Sequence, residues 1–282
     1  TIISQMTKNE IKVPVTVNKD YFLPAFVNES TLVICCSYSG NTEETLKMYE
    51  QAAAKGAEIA ISTSGGKFEE LAKENGYNII MIPGGHPPRA AFGLGFPQLF
   101  FILEKYGLIS DSFVAEIEAA ISLIDLEEGN IIAASKEIAQ KLMNKITVIY
   151  SGPELEGVCV RFRQQINENS KRLACHNTIP EMNHNEIVGW RKDYPELAIL
   201  FFNTKSDYYR NIEREKYLKK VISEYNQNIT VITAKGDTLL QQALYLVHFG
   251  DWISVIFGDM NNVDTVEVDV ITGLKNILAD LD

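Results

Sequence analysis

The sequence lacks several features that identify whole classes of protein. No apolar run approaches the roughly 20 residues that a membrane-spanning helix needs. No basic run stands out in a chain whose formal net charge is −11, so the clustered lysines and arginines of a nucleic-acid surface are not expected. The opening stretch TIISQMTKNE has neither the basic segment nor the apolar core of a secretion signal. We therefore expect a cytoplasmic protein that binds neither membranes nor nucleic acid.

The cysteine spacing and the absence of nucleotide-binding motifs exclude further classes of protein. The four cysteines show no CxxC spacing, which favours buried, reduced thiols over a disulfide framework. Walker-type and GxGxxG patterns are both absent, so the sequence does not support nucleotide binding. The net negative charge would repel an anionic ligand, which would then need a local site of backbone N–H groups, hydroxyls or an arginine.

Apolar strand-like and amphipathic helix-like segments alternate along most of the chain. The predicted strands cover residues 13–19, 31–37, 58–64, 77–85, 145–151, 197–203 and 229–235. The predicted helices cover residues 43–57, 67–76, 90–107, 155–170, 213–225, 238–257 and 266–281. This alternation predicts an α/β protein with two doubly wound lobes, each a parallel sheet flanked by helices, whose ligands bind at the carboxyl ends of strands.

The predicted lobes are separated by a stretch that is helical throughout. We expect an N-terminal lobe over 1–107, a helical connector over 108–144 and a C-terminal lobe with terminal helices over 145–282. The chain opens on the helix-like TIISQM, whereas a doubly wound lobe normally begins with a strand and a tight turn. We expect that strand and turn to precede this sequence.

The turn SYSGNT, residues 37–42, follows a buried strand and precedes a helix. Gly40 permits a tight turn, and either of the last two residues could cap the helix, with an acidic residue close behind in a capping box. Helix capping does not require the hydroxyls of Ser37 and Ser39. Hydroxyls beside the free N–H groups of a helix start suit a phosphate monoester, so capping and phosphate binding both remain open.

Five motifs occur in order along the chain: SYSGNTEETL, HPPRAAFG, QINENSK, PEMNHNEIVGW and GLKNIL. Together they resemble the bifunctional phosphoglucose/phosphomannose isomerase family of the sugar isomerase (SIS) superfamily. The resemblance implies a homodimer with shared active sites. It also implies interconversion of glucose 6-phosphate and mannose 6-phosphate with fructose 6-phosphate through an enediol, without a metal or other cofactor.

The resemblance also assigns phosphate-binding residues. Ser37, Ser39 and Thr42 match the hydroxyls that bind the phosphate in that family. The family carries, in addition, an N-terminal glycine-rich turn with a phosphate-binding serine, which this sequence does not contain. We expect it in the segment that precedes the sequence.

Four further residues match catalytic positions of the family. Glu168 matches the base that moves a proton between C2 and C1, and Arg89 matches the arginine that stabilises the enediolate. His184 matches a ring-opening histidine contributed by the partner subunit, and Lys275 matches a lysine that assists ring opening. A base, a group that stabilises the oxyanion and an acid–base pair are what aldose–ketose isomerisation requires. From residue type alone, each would be interpreted as an ordinary surface side chain.

Three alternatives remain. A sugar-phosphate sensor would need only the phosphate turn and not the catalytic residues, and an isomerase could act on another phosphosugar. A metal site could draw on residues close together in sequence: His176, Glu181, His184 and Glu186. Their spacing matches neither HExxH nor a Cys/His finger, so we favour the reading without a metal.

Overall fold

A computed structural model of the chain describes residues 1–281 and divides it into two compact units. One unit is Thr7–Asp111, and the other joins Thr1–Met6 to the chain from Ser112 onward. The short first helix, α1 (Ile2–Met6), belongs to the second unit and packs against its helices. No helix among the described residues is long and apolar enough to cross a membrane.

The unit Thr7–Asp111 is built on a three-stranded parallel sheet of order β1-β2-β3. Its strands are β1 (Leu32–Cys36), β2 (Glu58–Thr63) and β3 (Asn78–Met81). Its helices are α2 (Glu43–Ala54), α3 (Gly66–Asn75) and α4 (Phe92–Lys105). The register pairs Cys36 with Ser62, so the carboxyl ends of β1 and β2, and the turns that follow them, lie side by side.

The second unit contains a four-stranded parallel sheet of order β5-β4-β6-β7. Its strands are β4 (Ile146–Ser151), β5 (Ala174–Thr178), β6 (Leu197–Asn203) and β7 (Ile229–Thr233). Its longer helices are α5 (Phe113–Leu142), α6 (Glu156–Ser170), α7 (Tyr209–Ser223), α8 (Leu239–Met260) and α9 (Asp269–Ala279). The central strand β6 is buried along most of its length, as expected for a sheet covered on both faces.

Helix α5 contains most of the segment that the sequence predicts as a connector, and it packs along α8 within the second unit. Glu128 on α5 lies 2.6 Å from Nε2 of His248 and accepts a hydrogen bond from Nε1 of Trp252 at 3.1 Å. The division into lobe, connector and lobe stays a prediction.

The parallel sheets flanked by helices confirm the predicted fold class, but one predicted strand does not form and one strand was missed. Residues 13–19 form an extended loop in which Val13, Val15 and Val17 are all about half exposed. Pro14 has no backbone N–H to donate to a neighbouring strand, so the alternating valines are not enough to form a strand here. Strand β5 was missed because its sequence, ACHNT, is too polar to stand out; it lies at the sheet edge, where it pairs with β4 alone.

The cysteines also differ in part from expectation. All four are free thiols, and Cys35 and Cys159 are buried. Cys36 and Cys175 are exposed, and each lies on a strand at the edge of its sheet. Burial raises the pKa of the Cys159 thiol to about 12, so it stays protonated at neutral pH.

Candidate active site

The hydroxyl groups of the turn after β1 lie close together. Oγ of Ser37 lies 2.7 Å from Oγ1 of Thr42, and the Thr42 N–H donates to Ser37 Oγ over 3.3 Å. Ser37 is buried, and its own N–H donates to the carbonyl of Ser62 on β2 at 3.2 Å. Both hydroxyls therefore lie where β1 ends and α2 begins, beside helix N–H groups that have no intrahelical partner.

The other polar residues of this turn organise its backbone. Oγ of Ser39 accepts from the N–H of Asn41 at 3.2 Å, and Oδ1 of Asn41 accepts from the N–H of Lys67 at 2.9 Å. Thr42 occupies the position before α2, but its side chain makes no capping hydrogen bond. Capping of α2 therefore does not explain these side chains, although Asn41 does accept from the first turn of α3.

Gly40 allows the turn to pack against the one that follows β2. Its φ is +72°, in the left-handed region that favours glycine. A Cβ at this position would lie 1.8 Å from the carbonyl oxygen of Gly65, which is far inside contact distance. The turn thus needs glycine for both its conformation and its packing.

Tyr38 connects the turn to the segment that carries Arg89. Its hydroxyl donates to the carbonyl of Pro83 at 3.1 Å and accepts from the N–H of His86 at 3.0 Å. Arg89 follows three residues later, in a 3₁₀ turn over Pro88–Ala91 that leads into α4, and its side chain is half-buried. Tyr38 therefore fixes the distance between the hydroxyl turn and the backbone before Arg89.

Glu168 lies in the last turn of α6, at the edge of a cleft of about 390 Å³. The opposite wall of the cleft is formed by Glu267, Val268, Val270 and Ile271, around the start of α9. The residues next to Glu168 are held by α8. Nδ2 of Asn169 donates to Oγ of Ser254 at 2.9 Å, and Oγ of Ser170 donates to the Ser254 carbonyl at 2.7 Å.

One turn earlier, α6 is joined to α8 by a partly buried carboxylate. Asp251 lies 2.6 Å from the guanidinium of Arg161 and accepts from Nε2 of Gln165 at 2.9 Å. Burial raises the pKa of Asp251, and the charge of Arg161 and the hydrogen bonds from both residues act in the opposite direction. These contacts fix the helix that carries Glu168 against its neighbour.

His184 ends a 3₁₀ turn, Glu181–His184, and its side chain is exposed. The segment that follows is anchored through Glu186, whose carboxylate accepts from the hydroxyl of Tyr150 and, at 2.7 Å, from Nδ2 of Asn177. Burial, and then the nearby Glu186 charge, raise the pKa of Tyr150, so its hydroxyl remains a donor. Glu186 is thus occupied as the anchor of this segment.

Lys275 lies on α9, one turn beyond Ile271 at the edge of the Glu168 cleft. Its side chain is exposed, as is the apolar face of the same helix, with Val270 88% and Ile277 64% exposed. The helix predicted over residues 266–281 is present as α9.

No group of three or more histidine, cysteine, aspartate or glutamate side chains is placed to hold a metal ion within residues 1–281. The four residues weighed as metal ligands do not form such a group. Glu186 instead bonds to Tyr150 and Asn177, and Oε1 of Glu181 accepts from Asn185 at 3.2 Å.

The structure groups the predicted site residues separately within each of the two units. In Thr7–Asp111 the turn hydroxyls lie together, and Tyr38 joins their turn to the Arg89 segment. In the second unit the Glu168 cleft is bordered by the start of the helix that carries Lys275. The sequence did not identify Tyr38 or Lys171 as parts of these arrangements, because only tertiary contacts give them a role. The catalytic and binding roles themselves stay predictions.

Comparisons with known proteins agree with the fold and the motifs. Residues 132–278 match a family model described as the bacterial phospho-glucose isomerase C-terminal SIS domain. A bifunctional phosphoglucose/phosphomannose isomerase of Caldicellulosiruptor bescii is 38% identical over 97% of this chain and 84% of its own length. One of the same name from Aquifex aeolicus is also 38% identical, over 94% of this chain and 81% of its own length.

A solved structure shows the same fold at low sequence identity. The C-terminal domain of glucosamine-fructose-6-phosphate aminotransferase from Francisella tularensis superposes with a TM-score of 0.77 and 13% identity. The match covers 94% of this chain and 82% of that domain.

Proposed function

Since this chain belongs to the bifunctional phosphoglucose/phosphomannose isomerase family, we propose that it interconverts glucose 6-phosphate and mannose 6-phosphate with fructose 6-phosphate. The relationship to curated isomerases across 97% of the chain carries this proposal. The hydroxyl-lined turn at the start of α2 supports it, because helix N–H groups and hydroxyls together bind a phosphate monoester without a basic surface. That arrangement suits a protein whose net charge is −11.

In the proposed mechanism, the sugar phosphate is held by Ser37, Ser39 and Thr42. Glu168 removes the proton from C2 of the open-chain aldose, the C2–H electron pair forms the C1–C2 double bond, and the C1 carbonyl π bond breaks with its electron pair moving to O1, which gives an enediolate. The proton of the C2 hydroxyl then passes to O1, the C2 oxygen becomes a carbonyl, and the electron pair of the C1–C2 double bond takes the proton back from Glu168 at C1, giving the ketose. Because C2 is planar in the enediol, protonation of either face of C2 in reverse gives glucose or mannose 6-phosphate. Arg89 stabilises the negative charge on the enediolate oxygen.

Ring opening precedes the proton transfer, and we assign it to His184 and Lys275. One group transfers a proton to the ring oxygen and the other accepts the proton of the anomeric hydroxyl. No metal or other cofactor takes part in this proposal. The enzyme is proposed to act in the cytoplasm as a homodimer, in which His184 of one protomer serves the active site of the other.

The direct experiment is to incubate the chain with fructose 6-phosphate and measure glucose 6-phosphate and mannose 6-phosphate by separate coupled assays. Formation of both products is expected. A sugar-phosphate sensor would bind the ketose without forming either product. An isomerase for another phosphosugar would leave fructose 6-phosphate unchanged and convert a different substrate in a panel of aldose and ketose phosphates.

The shared site is tested by mixing two inactive variants, Glu168→Gln and His184→Ala, under conditions in which subunits exchange. Half the dimers are then mixed, and one of their two sites combines an intact Glu168 with an intact His184. Activity should rise to roughly a quarter of the native value, by the symmetry of a two-fold dimer. No recovery, with exchange confirmed independently, would place both residues in the site of one protomer.

A further inference from the structure

Lys171 follows the last turn of α6 in a backbone conformation that lysine rarely adopts. Its φ of +53° lies in the left-handed region, at a helix end where glycine is the usual residue. Because this conformation is uncommon for lysine, the contacts of its side chain are of particular interest. The side chain of Lys171 is only 26% exposed.

The ammonium group of Lys171 joins two separate segments. Nζ donates to the backbone carbonyl of Glu168 at 2.7 Å and to that of Glu267 at 2.7 Å. The same Nζ lies 3.1 Å from Oε1 of Glu267. The backbone of the proposed base is therefore linked through the Lys171 ammonium to the segment across the cleft.

Glu267 extends the connection to α9. Its Oε2 accepts from the N–H of Asp269, the first residue of that helix, at 2.9 Å. This backbone hydrogen bond and the contact with Lys171 lower the pKa of Glu267, so its carboxylate stays charged at neutral pH. A continuous chain of polar contacts thus runs from the Glu168 carbonyl to the start of the helix that carries Lys275.

We propose that Lys171 is a positioning residue, which holds the Glu168 turn of α6 at a fixed distance from the start of α9. The proposal rests on the function given above, in which Glu168 is the base and Lys275 assists ring opening. Proton transfer is sensitive to placement, and an error of about 1 Å can cost on the order of 10²-fold in rate. Lys171 acts through the backbone of Glu168 and needs no contact with the sugar.

The test removes the side chain without straining the backbone. Lys171→Gly suits the left-handed conformation but cannot bridge the two carbonyls. We expect kcat, and proton exchange at C2, to fall by roughly 10²-fold. KM should stay close to native, because the proposed phosphate-binding residues lie in the other unit. Lys171→Arg retains several N–H donors and should recover much of the lost rate.

Asn144→Gly is the matched control. Asn144 is exposed and also has a positive φ, of 60°, so this variant makes the same backbone change away from the cleft. Its kinetics should equal those of the wild type. If Lys171→Gly behaved like this control, the positioning role would be refuted.

Two further variants complete the test. If Lys171→Gly failed to fold, as judged by thermal unfolding, Lys171→Asn would test the same connection, because asparagine also tolerates the left-handed conformation but its short side chain cannot bridge the two carbonyls. Its kcat should fall with KM unchanged, and native kinetics would refute the proposal. Glu168→Gln is measured in parallel. If that variant retained exchange at C2, the assigned base would be wrong, whereas its inactivity beside a fully active Lys171→Gly would overturn only the positioning role.

Discussion

Gly40→Ala should damage the hydroxyl turn without touching a hydroxyl. The added methyl group would lie 1.8 Å from the Gly65 carbonyl oxygen and 2.9 Å from Oγ1 of Thr63. Both neighbours belong to the chain at the end of β2, and the nearest one is backbone, which cannot rotate away. The turn must therefore shift, and the hydroxyl pair of Ser37 and Thr42 must shift with it.

The magnitude follows from two separable terms. Placing a Cβ in the left-handed region costs about 1–2 kcal/mol, and forcing an extra methyl group into a packed site adds roughly 1–3 kcal/mol. Gly76 provides the control, because its φ is also +72° and a Cβ there would meet nothing within 4 Å. Gly76→Ala should therefore cost only the first term, and the difference between the two variants isolates the steric term.

Both variants are compared by urea unfolding and by the KM for fructose 6-phosphate. Gly76→Ala should lower the free energy of unfolding by about 1–2 kcal/mol and leave KM native. Gly40→Ala should lower it by roughly 1–3 kcal/mol more and raise KM, since the phosphate-binding hydroxyls are displaced. Equal stability and equal KM in the two variants would refute the packing of the turn described here.

Three other changes test separate parts of the structure. Ser39→Ala should weaken binding of inorganic phosphate by ~1.5–3 kcal/mol, because it removes one hydrogen bond to a charged group. Unchanged affinity would show that Ser39 does not bind the phosphate. Exhaustive EDTA treatment should leave kcat intact, whereas a loss that zinc reverses would favour a metal enzyme. Burial raises the pKa of Tyr150 in the folded chain, whereas in the unfolded chain the tyrosine loses its proton at about pH 10. Above that pH the unfolded chain is stabilised by ionising and the folded chain is not, so the free energy of unfolding should fall as pH rises. Tyr150→Phe should make that fall shallower, and an identical pH dependence would contradict the assigned burial.

Much of the fold could be predicted from the sequence because it depends on local periodicity. The apolar runs of β2 and β6 and the amphipathic pattern of α3 each identify the element they form. The errors occur where tertiary contacts, rather than the local pattern, decide whether a segment forms a strand. The valines of residues 13–19 alternate like a strand but have no sheet partner, and β5 forms despite its polar sequence because β4 offers it an edge.

The candidate site shows the same division. The positions of Ser37, Ser39 and Thr42 between a strand and a helix are local, so the hydroxyl turn could be predicted. The roles of Lys171 and Tyr38 could not, since each bonds to segments distant in sequence. Lys171 reaches a carbonyl 96 positions away, and Tyr38 reaches one 45 positions away. No pattern in the neighbouring residues indicates such contacts.

The assignment of Glu168 as the base of an enediol isomerase is tested most directly by hydrogen exchange with solvent. Glucose 6-phosphate and mannose 6-phosphate are each incubated in deuterium oxide with the wild-type chain or with Glu168→Gln, and deuterium at C2 is measured by NMR. The wild type should incorporate deuterium into both sugars, and Glu168→Gln should lose at least about 10²-fold of that rate with phosphate binding retained. Exchange by Glu168→Gln at a near-native rate would contradict the assignment of Glu168 as the base.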